Sequence, residues 1–232
     1  MTVHADGSQN GTGLVMVQAP RSAAAEAYRT LSTNIQFSSL DRDLKTLMVT
    51  SVGPDEGKSI VLANLAITMA ESGRKVVIVD CDLRHPSLHQ VFGVSDQPGL
   101  TSMVLDEQLE PPLRPTSIAN VSLMPSGPLP PNPAELISSE RFTRVLGAIG
   151  ADADVVLLDA PPVAAVADAT ILAARVDGVL LVVDSGRTRR EAGRRAAEQL
   201  QRVGAHVLGA VLTNVKAERE QARYLGKLGK SK

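Results

Sequence analysis

The sequence predicts a three-layer α/β domain, a mostly parallel central sheet with helices on both faces. Two observations carry that expectation. Short continuous runs of β-branched and aliphatic residues recur at 46–51 (TLMVTS), 75–81 (KVVIVDC), 154–160 (DVVLLDA), 178–184 (GVLLVVD) and 206–214 (HVLGAVLTN). Runs of this kind suit strands buried on both faces. Between several of them lie stretches with helical apolar spacing, at 58–72, 166–174 and 188–203. Strands that alternate with helices imply parallel pairing through right-handed crossovers.

Taken in order, residues 1–20 are rich in Gly, Ser and Asn and lack periodicity, which predicts a mobile N-terminal arm. Ala, Leu and Ile spacing predicts a helix over Ala23–Ser38. The domain proper is expected over 21–215, followed by a basic tail at 216–232. From Pro98 to Pro133 the chain is Pro-rich and weakly periodic. The segment MPSGPLPPNPAEL (124–136) cannot hold regular structure through its centre, because Pro lacks the backbone donor and fixes φ. A loop is expected there, ending at a helix capped by Asn132 ahead of Pro133.

With 232 residues, 44% of them hydrophobic and 21% charged, the chain can bury a sizeable core. Aromatic residues make up 2% and Trp is absent, so Val, Leu, Ile and Ala must build that core. A net charge of -1 offers no electrostatic footprint for nucleic acid. One cysteine excludes an internal disulfide and fits a reducing compartment. No apolar run approaches the roughly 20 residues of a bilayer crossing. The N-terminus lacks the basic-then-apolar order of a secretory signal, so the expected location is cytoplasmic.

In parallel sheets ligands gather at the carboxyl ends of the strands. Ser51, Asp80 with Asp82, Asp159 and Asn214 all stand at such ends. In SVGPDEGKSIVLANLAIT (51–68) the first strand passes into a helix through Gly57-Lys58-Ser59. Successive backbone N–H groups at a helix N-terminus converge on phosphate, and Gly57 lets the backbone approach closely. Lys58 suits the β- and γ-phosphates, and the Ser59 hydroxyl suits Mg2+. A magnesium site also needs hard oxygen ligands, which Asp80, Asp82 and Asp159 offer. Two features depart from the usual loop: Val52 stands where a Gly is common, and Asp55 and Glu56 bring carboxylates beside the phosphates. Their side chains are expected to face away while their N–H groups serve the loop.

With these motifs the chain resembles the catalytic domain of the bacterial P-loop tyrosine kinases of capsule and exopolysaccharide synthesis, relatives of the MinD/ParA-type ATPases. The likeness runs from about Ala23 to Lys216. It rests on SVGPDEGKS, on VVIVDCDLRHP with its Asp-x-Asp-x-Arg pattern, and on VVLLDAPP, PSGPLPPNPAELISSERF and DAPPVAAVADA. The resemblance implies a P-loop NTPase fold and an ATP loop formed by Gly53, Pro54, Asp55, Glu56, Gly57, Lys58, Ser59 and Ile60. It implies that Ser59 and Asp80 hold Mg2+, with Asp159 acting through water. It makes Lys58, Asp82 and Arg84 the catalytic set: Asp82 accepts the proton of the substrate hydroxyl and Arg84 orients the acidic cluster. Asn214 falls near the adenine, with a plain turn role equally open.

The same resemblance implies a partner, a separate membrane-embedded polysaccharide co-polymerase that activates the chain and holds it at the inner face of the membrane. It also implies homo-oligomers. The family's Glu-x-x-Arg-x-x-Arg contact keeps Glu26 and Arg29 here, with Ser32 in place of the last Arg. The family's C-terminal tyrosine cluster is reduced to Tyr224, the other of two tyrosines being Tyr28. The family usually has Gly where this chain has Asp55. Two functions stay open: an ATP- and Mg2+-dependent protein-tyrosine kinase, and a non-kinase ATPase switch that docks on a membrane polysaccharide protein. A partitioning ATPase is disfavoured, because the signature Lys of that group is Gly53 here and the net charge is near zero.

Overall fold

A computed structural model describes residues 13–38, 43–106 and 110–215. Among them the strands are β1 (Thr46–Ser51), β2 (Val76–Asp80), β3 (Arg114–Pro115), β4 (Val121–Met124), β5 (Val155–Asp159), β6 (Gly178–Asp184) and β7 (Val207–Thr213). They form one sheet in the order β3-β4-β2-β5-β1-β6-β7. Every neighbouring pair is parallel except β3 with β4. The helices are α1 (Val15–Gln18), α2 (Ala23–Ser38), α3 (Lys58–Glu71), α4 (Leu88–Phe92), α5 (Leu100–Leu105), α6 (Pro133–Ser138), α7 (Glu140–Ile149), α8 (Asp168–Ala173) and α9 (Arg190–Arg202).

The three layers follow from the two-residue period of the strands. Leu47 and Val49 join Ile78, Leu157 and Leu180 in one core with α2, α3 and α4. Met48 points the other way and joins Val79, Leu158 and Leu181 in a second core with α5, α7, α8 and α9. The central strands β2 and β5 are buried at every position, which is why they read as unbroken apolar runs. The five expected strands and the four helices expected with stated bounds all form, with ends shifted by at most two residues.

The Pro-rich stretch departs from expectation. It is not a loop throughout: α5 forms at its start and β4 adds to the sheet beside β2. The register Val76↔Val121 through Val79↔Met124 holds β4 in place, so tertiary pairing overrides a weak local signal. The expected cap is present, with Asn132 Oδ1 accepting from the Glu135 N–H at 3.4 Å and Pro133 opening α6.

Within the expected N-terminal arm, the described residues 13–18 are ordered on the domain. Leu14 and Met16 are buried against α3. Asn64, buried within α3, clamps the segment, accepting from the Met16 N–H at 3.0 Å and donating to the Gly13 carbonyl at 3.0 Å. A buried amide must find partners, and residues 13–16 supply them.

One turn depends on the absence of a side chain. The N–H groups of Leu100 and Thr101 donate to the carbonyls of Pro125 and Ser126 at 2.8 and 2.9 Å, drawing Gly99 onto Gly127. A Cβ at Gly99 would lie 2.4 Å from both the Gly127 nitrogen and the Pro125 oxygen. Gly99→Ala is therefore expected to cost about 1–3 kcal/mol, measured as a lower urea midpoint at unchanged slope.

Candidate active site

Parallel registry assembles the site. Pairing of β2 with β5 sets Asp80 directly beside Asp159, and β1, between β5 and β6, delivers the 52–57 loop to the same edge. Two residues of that loop take left-handed backbone conformations, Gly57 at φ 85° and Asp55 at φ 58°. Glycine occupies that region freely, and Asp is among the few other residues that tolerate it. A backbone position that favours Gly can thus carry Asp55, whose side chain is exposed.

Glu56 behaves differently from its neighbour and is buried. Its carboxylate accepts from the Val52 N–H at 2.9 Å and from the Thr188 hydroxyl, while its carbonyl accepts from the Thr213 hydroxyl at 3.0 Å. Glu56 is therefore an internal brace that ties the loop to the ends of β6 and β7. Ser51 Oγ donates to the Gly53 carbonyl at 2.7 Å and tightens the start of the loop. Pro54 is exposed, and Ile60 packs at the start of α3 against Gly13.

Lys58, the first residue of α3, reaches back over the strand ends. Its Nζ lies 2.9 Å from Asp82 Oδ2 and 3.2 Å from Asp159 Oδ1, and it donates to Ser59 Oγ at 3.2 Å. Ser59 Oγ in turn donates to Asp159 Oδ2. Burial alone would lower the Lys58 pKa, but the charges of Asp159 and Asp82 outweigh it and the amine is held above its usual range.

Among the described residues Asp80 has no lysine of its own at salt-bridge distance. Its carboxylate accepts from the N–H groups of Ser87 and Leu88, each at 3.1 Å, and from the Asp82 N–H at 3.3 Å. Burial, and next the charge of Asp159, push its carboxyl up to about 8. Asp159 is raised as well, by burial against the pull of Lys58. Three carboxyls face one lysine, so full ionisation of all of them is disfavoured until another cation arrives. That unmet demand for positive charge, with an all-oxygen donor set at Asp80, Asp159 and Ser59, fits a magnesium ion. Among the described residues no three His, Cys, Asp or Glu side chains converge on one metal position.

The Asp80 shift sets a pH dependence. Unfolded, the group titrates near 3.8; folded, near 8. Between those values the folded, nucleotide-free chain keeps a proton that the unfolded chain has released. Its stabilising share is full below the lower value and is lost as pH rises toward the higher one. Asp80→Asn removes the charge, so the melting temperature of the variant should gain on the wild type as pH rises across that window.

The structure brings together Lys58, Ser59, Asp80, Asp82 and Asp159, and separates two other expected members. Asp82 is buried, with Oδ1 accepting from the Arg84 N–H at 3.4 Å and the His85 N–H at 3.1 Å. Arg84, expected to orient the acidic cluster, bonds none of its acids through the guanidinium, which pairs with Asp168, with Nε to Oδ2 at 2.8 Å and Nη2 to Oδ1 at 3.2 Å. Asn214, at φ 53°, donates from Nδ2 to Asp184 Oδ2 at 2.7 Å and shapes the turn after β7. Its neighbour Thr213 is the β7 residue nearest the loop, with Cγ2 3.9 Å from where a Gly57 Cβ would sit. Asp168 and Thr188 are the participants that sequence reasoning missed. Asp168 lay within the quoted DAPPVAAVADA, whereas nothing in sequence spacing links Thr188 to Glu56.

Of the two tyrosines, Tyr28 is 1% exposed in the core beneath α2, and Tyr224 lies outside the described residues. Arg29 is engaged within the chain, 3.4 Å from Glu26 and 3.6 Å from Glu71. Cys81 is fully buried, and burial pushes its thiol well up. Among the described residues no helix is long and apolar enough to cross a membrane.

Comparison with known proteins agrees with this geometry. The family model described as ParA: NUBPL iron-transfer P-loop NTPase matches residues 44–222. Tyrosine-protein kinase YwqD of Bacillus subtilis (strain 168) is 40% identical over 211 residues, covering 90% of this chain and 89% of its own length. Putative tyrosine-protein kinase CapB of Staphylococcus aureus is 32% identical over 206 residues, 88% of this chain and 90% of its own. Among solved structures, the kinase domain of Escherichia coli tyrosine kinase ETK aligns with a TM-score of 0.82 at 30% identity, covering 88% of this chain and 82% of that one.

Proposed function

The chain belongs to the ParA-like P-loop NTPases and, within them, to the bacterial tyrosine-protein kinases; from that membership we propose that it transfers the γ-phosphoryl group of ATP to a tyrosine hydroxyl. The observation that supports this most is the Lys58 contact with both Asp82 and Asp159 at the head of the phosphate loop. The loop of Gly53 to Ile60 would cradle the phosphates on its backbone N–H groups. Lys58 would exchange its carboxylate partners for phosphate oxygens. Ser59 and Asp80 would hold the magnesium ion, with Asp159 acting through water; when bound, that ion would supply charge stabilisation on the phosphates. Asp82 would accept the tyrosine proton as the phenolic oxygen bonds the γ-phosphorus and the bond to the β–γ bridging oxygen breaks, releasing ADP. Phosphoryl transfer depends mainly on positioning and charge, and this cluster provides both.

The proposal extends to setting. The chain would act in capsule or exopolysaccharide assembly, in the cytoplasm at the membrane face, switched on by a membrane-embedded co-polymerase, with Tyr224 as a phosphoacceptor and with homo-oligomers forming. Burial of Tyr28 favours a second reading, an ATPase switch that phosphorylates nothing. Incubation with ATP and Mg2+, with and without the cytoplasmic tail of a co-polymerase, followed by phosphotyrosine detection, separates the two. The kinase reading expects phosphotyrosine that weakens in Tyr224→Phe. ATP turnover that depends on Lys58 without any phosphotyrosine would leave the switch.

A further inference from the structure

We propose that Asp168 is a positioning residue for phosphoryl transfer, acting through Arg84; this deepens the kinase reading above and rests on it. The three site carboxylates come from two loops. Asp80 and Asp82 open the segment that joins β2 to α4, and Asp159 opens the one that joins β5 to α8. The first of these segments wraps its own acids. Arg84 and His85 donate N–H groups to Asp82, and Ser87 and Leu88 donate to Asp80. The conformation of residues 82–88 therefore decides where both carboxylates point.

The Arg84–Asp168 pair fastens that segment to the other loop. Asp168 is the first residue of α8 and its side chain is 1% exposed, whereas that of Arg84 is 37% exposed. Behind Asp168 the helix is anchored in the second core by Ala169, Leu172 and Ala173, all buried. A buried carboxylate on an anchored helix is a fixed post. The two parallel N–H bonds of Arg84 fix orientation as well as distance, which a lysine cannot reproduce. Both ends of the 159–168 connection thus touch the site, Asp159 at the cluster and Asp168 through Arg84. Small displacements of reacting groups carry large rate costs, so loss of the clamp should slow turnover while leaving the phosphate loop and nucleotide affinity intact.

The test uses the full chain and the variants Asp168→Asn, Arg84→Lys, Arg84→Ala and Arg84→Ala/Asp168→Ala. Hydrogen-exchange mass spectrometry should show faster exchange over residues 83–88 in each variant, with β1 and α3 unchanged. Turnover should fall about tenfold or more with the KM for ATP within about twofold. The double variant should lose no more than Arg84→Ala alone, because one interaction is removed in both. Arg84→Lys keeps the charge and the buried acid's partner, so it reports on orientation even where Asp168→Asn folds poorly. Unchanged exchange over 83–88 would overturn the proposal, as would faster exchange there with wild-type turnover. Absence of ATP turnover in the wild type would count against the kinase reading, and the exchange arm would still decide whether the clamp holds the loop.

Discussion

Lys58→Ala is expected to abolish ATP turnover, lowering it by roughly a hundred- to thousandfold. The side chain stands at the head of α3, 2.9 Å from one carboxylate and 3.2 Å from another, where a phosphate-bound nucleotide would compete for the same ammonium. Its removal has a second consequence that separates it from a pure binding defect. Asp82 and Asp159 are both buried, and deleting the cation that faces them leaves negative charge without its partner. Breaking a buried pair in this way costs roughly 3–5 kcal/mol. Partial protonation of Asp159, whose carboxyl is already raised, offsets some of that cost as pH falls. The variant should thus be inactive in a coupled ATPase assay. In thermal scans it should be less stable than wild type, and the deficit should shrink under acid conditions. A variant that is inactive but unchanged in stability would mean that the lysine contributes nothing to holding the empty site.

Asp82→Asn is expected to lower phosphotransfer about a hundredfold while leaving the KM for ATP within about twofold. General-base contributions span roughly 10²–10⁴; the lower end applies because a loose phosphoryl-transfer transition state asks little of the base. The substitution keeps the oxygen that accepts the Arg84 and His85 N–H groups, so the 82–88 segment should stay folded. Lys58 would retain Asp159 as a partner. A steady-state split of kcat from KM reads the outcome. A rise in KM with unchanged kcat would place Asp82 in nucleotide binding rather than in proton transfer.

Much of this architecture was legible in the sequence, for a physical reason. Strands buried on both faces have no solvent side, so β2, β5 and β6 are written mainly in Val, Leu and Ile, and their polar end residues mark the functional edge. The phosphate loop declared itself through residue types that its chemistry requires. What escaped was set by tertiary context. Strand β4 is four residues long and runs straight into Pro125, and its conformation comes from pairing with β2. Helix α7 does carry helical spacing in Phe142, Val145, Leu146 and Ile149, yet it stands only one short helix, α6, beyond the Pro-rich stretch that dominates the local pattern. The N-terminal segment looked mobile because an average over twenty residues hides Leu14 and Met16. The partner of Arg84 lies 84 positions away, a distance that no local pattern spans. Asp55 looked like a misplaced charge beside the phosphates; its φ of 58° shows a backbone requirement that Asp can meet with its carboxylate in solvent.

The central claim is that Lys58 and the three aspartates direct the γ-phosphoryl group to a tyrosine oxygen rather than to water. Incubating the full chain with γ-labelled ATP, Mg2+ and a tyrosine-containing acidic peptide, then separating phosphotyrosine from inorganic phosphate, tests it most directly. Label in phosphotyrosine that vanishes in Lys58→Ala and falls about a hundredfold in Asp82→Asn is the predicted result. Label found solely in inorganic phosphate, both with the peptide and with the chain's own tyrosines as acceptors, would contradict it.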